Sequence, residues 1–140
     1  MKASITTQQY VNFIALFFGF FSVQLMIDAN YFFGPKAALG MSYFNGSQFD
    51  ARTQMFARFA GLNGLAISSM HHVFGVNAQK YAQLTLVLKV AMMPLFVFAA
   101  LKIKDATIWW SFQIMMGLVI TFVNFVVVDM DNFMGKIKSM

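Results

Sequence analysis

The stretch ATIWWSFQIMMGLVITFVNFVVV, residues 106–128, contains no charged side chain. A helix rising about 1.5 Å per residue needs about 20 mostly apolar residues to cross a hydrocarbon core about 30 Å thick, and this stretch is long enough. Past Thr107 its polar side chains are Ser111, Gln113, Thr121 and Asn124. They do not build the continuous polar face, repeating every 3.6 residues, that a helix on the surface of a soluble protein shows. The stretch therefore reads as a membrane span.

Three more apolar runs follow the same reading: residues 10–28, 58–74 and 81–101, the last interrupted by Lys89. The whole chain of 140 residues is 59% hydrophobic and 11% charged. An average soluble domain has roughly 25% charged residues. Lipid removes the need for a polar exterior. The expectation is one domain over residues 1–140, all-α, an integral membrane bundle of four transmembrane helices facing the lipid bilayer. The run before Asp28 is too long for the core of a signal peptide and lacks a small-x-small site, so it is expected to stay as a span.

The connections are unequal. Gly75 to Lys80 and Lys102 to Asp105 are short, so spans two to four are expected as antiparallel hairpins. The first connection, Asp28 to Ala57, holds the turn signals Gly34-Pro35 and Asn45-Gly46. Between them, Lys36 to Phe44 reads as a short amphipathic segment on the membrane surface, with Phe32, Phe33, Tyr43, Phe44 and Phe49 as interfacial anchors. The net charge of +5 is spread thinly; Lys102-Ile103-Lys104 and Lys136-Ile137-Lys138 are its densest clusters. Both flank apolar runs and suit headgroups, so no nucleic-acid partner is expected. Basic residues divide almost evenly between the two sides, which leaves the orientation open.

Chemistry has few places to sit. The chain has no cysteine, which excludes disulfides and thiolate metal sites. It shows no nucleophile–base pair, phosphate loop or H-E-x-x-H motif, so an enzyme is not expected. In the second run, Ala57, Gly61, Gly64, Ser68, His71 or His72, and Gly75 recur every three or four residues and share one helical face. Such a face is either a helix–helix seam or a groove for a flat ligand ending at a histidine. Adjacent His71 and His72 diverge by about 100° around a helix, so at most one can give an axial nitrogen to haem or chlorophyll. His72 continues the small-residue row and is expected to face inward; His71 is expected at the interface. A charge such as Lys89, roughly 13 Å into the third span, is a functional candidate by default unless it snorkels to an interface. Its expected polar partners are Gln113 and Asn124, and Pro94 is expected to kink the helix beside it. Asp28 and Arg58 end adjacent spans at one face and are expected to pair as ions and close the long connection.

The segment Phe33-Gly34-Pro35-Lys36, with Leu39-Gly40 and then Arg58-Phe59-Ala60-Gly61, resembles the small four-helix DoxX-like membrane proteins. In that group the connection after the first helix often carries a proline and Arg-x-x-Gly opens the second helix. The resemblance implies a four-helix bundle and marks Arg58 and Gly61.

These features point first to a non-catalytic accessory subunit of a larger energy-transducing membrane complex, contacting other membrane subunits. A photosystem-type assembly in a thylakoid membrane, with pigment or lipid contacts, is the favoured setting, because Phe-rich helices with a lone histidine suit pigments. A small DoxX-like transporter or channel using Lys89, Gln113 and Asn124 is one alternative. A haem-binding redox protein using His71 or His72 is the other.

Overall fold

The computed structural model describes residues 6–40, 42–43, 49–104, 107–129 and 135. Among these the chain forms four α-helices and no strand: α1 (Thr7–Phe33), α2 (Ala51–His72), α3 (Ala78–Lys102) and α4 (Ile108–Val127). Three of them, α1, α3 and α4, are long and apolar enough to cross a membrane. The second is not. The expected span 58–74 lies within and just beyond α2, but that helix begins seven residues before Arg58 and carries Arg52, Arg58, Asn63, His71 and His72.

Local chemistry sets the helix ends. Thr6 and Gln9 form a reciprocal capping box at the start of α1, Gln9 N–H donating to the Thr6 hydroxyl and Thr6 N–H to Gln9 Oε1. The run does not stop at Asp28. That residue leaves helical geometry (φ −161°, ψ 103°), and its carboxylate accepts from the backbone N–H groups of Asn30 (2.9 Å) and Tyr31 (3.1 Å). Asp28 thus kinks the helix and caps its last turns. Among the described residues no ion pair joins it to Arg58; its Oδ1 serves these two backbone amides instead. Asp50 caps α2 in the same way through Thr53 N–H at 2.7 Å. Hydrogen bonds from the Thr53 side chain and backbone hold the Asp50 carboxyl below its usual range. Thr107 caps α4. The third helix continues unbroken through Pro94.

Both the Thr7 end of α1 and the Val127 end of α4 lie at one end of the molecule, where the Thr7 hydroxyl donates to Val127 O. The first two helices pack antiparallel along much of their length, whereas α1 and α4 touch only sparsely. A core of Val11, Ile14, Ala15, Tyr81, Ala82, Leu86 and Ile120 binds α1, α3 and α4.

In the expected surface segment Lys36, Ala38, Leu39 and Gly40 are exposed. Its described part makes successive turns, Ala37 N–H to Gly34 O and Gly40 N–H to Ala37 O. Tyr43 then turns inward. Its ring stacks on Phe33 (4.8 Å) and meets Trp110 edge-on (5.8 Å), and its hydroxyl donates to Gln113 Oε1 at 3.4 Å. Thr107 N–H donates to Tyr43 O and the Thr107 hydroxyl to Ser42 O. Burial pushes the Tyr43 phenol above its ordinary value. Phe33 and Tyr43 are therefore packing residues, not lipid anchors, because stacking and backbone bonding hold them between α1 and α4. Phe44 and the Asn45-Gly46 turn lie outside the described residues.

Candidate functional site

Two arrangements use the residues singled out by sequence. The first is the α1–α2 seam. A Cβ at Gly61 would stand 2.6 Å from Ser22 O and 2.9 Å from Met26 N, so only glycine lets the two backbones meet there. A Cβ at Gly64 would collide with the Ser22 hydroxyl, and Gly19 faces Ser68. Ser68 turns its own hydroxyl back to Gly64 O at 2.7 Å. Gly75 is not part of this row. It takes a left-handed conformation (φ +67°) in the turn after α2, with open space around it.

The second arrangement is a polar layer at the end that holds the start of α1. Lys89 points its side chain back along α3, toward that helix's N-terminus, as helical side chains do. Its ammonium donates to Tyr10 Oη at 2.5 Å and lies over the rings of Tyr10 (5.1 Å) and Phe18 (5.6 Å). The Asn124 amide is oriented by its neighbours. Placing Oδ1 toward Lys89 Nζ (3.3 Å) and Leu86 N–H (3.0 Å) lets Nδ2 donate to Ala82 O (3.1 Å) and satisfies both ends. Tyr10 Oη, 3.2 Å from the same Oδ1 and 3.4 Å from Ile120 O, can donate to either. Asn124 is completely buried. The layer continues outward through Gln79, which donates to the Thr7 hydroxyl (2.8 Å) and Val127 O (3.2 Å).

The structure thus brings Lys89 and Asn124 together but leaves Gln113 with Tyr43. Eleven residues along α4 separate the two amides, about 16 Å of helix. Tyr10 and Thr85 belong to the layer and were not singled out by sequence. The spacing of four that links Tyr81, Thr85 and Lys89 is the signal that could have found Thr85.

The histidines exchange the places expected of them. His71 is the inward residue: Nδ1 is 2.6 Å from Val76 O and Nε2 is 2.8 Å from Gln8 Nε2. A carbonyl only accepts, so Nδ1 carries the proton, and Nε2 of the neutral ring accepts from the Gln8 amide. Its ring also packs on Tyr81 at 5.9 Å. His72 is exposed, at the mouth of an open groove with Gly19, Leu65 and Ser68. The reversal arises because α3 and the turn before it close over α2's last turn on the His71 side. His71→Leu is expected to lower stability by about 1–2 kcal/mol through two lost hydrogen bonds. His72→Leu should shift it by less than about 0.5 kcal/mol. Thermal unfolding of both variants in detergent checks this, and equal melting points would refute a structural role for the His71 hydrogen bonds to Val76 and Gln8.

Among the described residues no group of three or more histidine, aspartate and glutamate side chains could hold a metal ion. No protein-family model, curated protein or solved structure matches the chain.

Proposed function

We propose that this chain is a non-catalytic subunit of a larger membrane assembly, with all four helices at bilayer depth. Its apolar exterior, with polar side chains kept beside the apolar core, carries the proposal. Ser22, Gln24, Ser68, Gln83, Thr85, Thr121 and Asn124 are buried, while Leu16, Phe20, Leu101, Ile108 and Phe122 are each more than 60% exposed. Lys89, Asn124 and His71 are spent on joining helices, which leaves them little freedom for turnover or transport. The packing of Gly61 and Gly64 against Ser22, near the middle of α1, supports that depth for α2, which is not itself apolar enough to span. In the test, native membranes are solubilised in a mild detergent and the mass of the particle holding the chain is measured. A particle of several different subunits is expected. Recovery only as multiples of the 15.8 kDa chain would overturn the proposal.

A pigment or haem role falls to His72, whose imidazole is exposed beside the α1–α2 groove while both nitrogens of His71 are engaged. A tetrapyrrole absorption band should then vanish in His72→Leu and persist in His71→Leu. A carrier role would use Lys89 and Asn124 without Gln113.

A further inference from the structure

Among the described residues no carboxylate meets the Lys89 ammonium. The four helices hold a single acidic side chain, Asp28. It stands about 27 Å along α1 from Tyr10, where its Oδ1 serves the Asn30 and Tyr31 amides. Asp129, beyond the end of α4, is exposed. The oxygens that Lys89 does meet, on Tyr10 and Asn124, are neutral, and a lone charge within an apolar span is costly. Tyr10 passes that charge on. A hydroxyl whose oxygen accepts from an ammonium becomes a stronger donor. Its own acceptors, Asn124 Oδ1 at 3.2 Å and Ile120 O at 3.4 Å, stand beyond the roughly 2.7–2.8 Å of a good O–H···O bond.

The same tyrosine lines a groove of about 460 Å³ between α1 and α4, which touch sparsely. Its apolar walls are Phe13 and Ile14 on α1 and Met116, Val119 and Val123 on α4. Gln9 and Tyr10 close the end where the apolar run begins, and Ile14 and Met116 lie deeper. Gln9 Oε1 is taken by Thr6, which leaves the amide nitrogen as the donor at that end. We infer that the groove binds a long-chain fatty acid, its carboxylate at the Gln9–Tyr10 end and its chain along Phe13, Val119 and Met116. Charge selects the head group. A carboxylate brings the one negative charge that balances Lys89, whereas an ester or alcohol of the same chain brings none. The volume lies in the range of about 300–1,000 Å³ usual for small-ligand clefts. The chain enters sideways from the bilayer, past the exposed Phe13 and Val119, and the carboxylate stays at the edge of the hydrocarbon. Lys89 keeps its bonds between helices, so the acid is held and not carried across.

In the test, the full chain in phosphatidylcholine vesicles is labelled with a photoactivatable stearic acid. Cross-links should fall on residues 13–14 and 116–123. Oleic acid should suppress them about tenfold more effectively than methyl oleate or phosphatidylglycerol. Val119→Trp fills the groove from the exposed side of α4 and should cut labelling about tenfold. Lys89→Met should abolish the preference for acid over ester while methyl oleate competes as before, a result that lost stability alone does not give. Equal competition by methyl oleate in the wild type, labels spread evenly over the outer face of α3, or unchanged labelling in Val119→Trp would each overturn the site. Competition by phosphatidylglycerol as strong as that by oleic acid would give the groove to a phospholipid and overturn the fatty acid.

Discussion

Gly61→Leu is expected to be the most damaging single substitution in the α1–α2 pair, lowering stability by about 3 kcal/mol or more. A side chain at this position meets Met26 Cγ, which can move, but also Ser22 O and Met26 N, which are backbone and inside a helix cannot rotate away. At Gly64 the obstacle is the Ser22 hydroxyl, which can turn. Gly64→Ala should therefore cost less than Gly61→Ala, although both add one methyl group. Leu62→Ile, on the exposed surface, serves as the control and should change stability by less than about 0.5 kcal/mol. Unfolding titrations in detergent give the order. If Gly61→Leu unfolds at the wild-type midpoint, the backbones do not meet there.

The polar layer predicts an asymmetry. Asn124→Leu removes the buried oxygen facing the Lys89 ammonium and leaves the charge with Tyr10 as its remaining oxygen partner. An uncompensated buried charge costs about 3–5 kcal/mol. Lys89→Met removes the charge itself and leaves neutral Tyr10 and Asn124 short of one donor, at about 1–3 kcal/mol. The double variant should be less damaged than the sum of the two, because the charge that suffers from the loss of Asn124 is gone. A double-mutant cycle from the same titrations checks this. An Asn124→Leu variant no worse than Lys89→Met would mean that the amide does not serve the ammonium.

The three apolar spans were legible because each is nearly uniform in polarity; α1 and α3 start three residues before their expected spans, because their first turns lie outside the apolar run, whereas α4 falls just inside its expected run because Thr107 caps it. Thr6 and Gln9 start α1 before Tyr10, and Asn77, whose carbonyl accepts from Tyr81 N–H, stands at the head of α3. The second helix was misjudged in kind. Reading from Arg58 onward discards its polar first turns, which Asp50 caps. The Gly61–Gly64–Ser68 row was visible from its period. Its partners Gly19, Ser22 and Met26 were not, since one helix does not say which neighbour it meets. The histidines were reversed for a related reason: intervals of three and four from Ser68 reach His71 and His72 alike, and only the path of the following turn separates them. Tyr10, one turn from the start of α1, was not singled out at all. Nothing local to it reveals the lysine that comes 79 residues later.

That separation along the chain has a consequence for the order of synthesis. The contacts of the α1–α2 seam are complete once residue 72 has emerged, whereas Tyr10 waits for Lys89 and both wait for Asn124, in the last turn of α4. Until then the nascent chain holds an ammonium and a phenol inside its apolar segment with one of their acceptors still unmade. The closing of α4 is thus the step that satisfies this layer, and a chain halted before Asn124 keeps the ammonium without its amide partner.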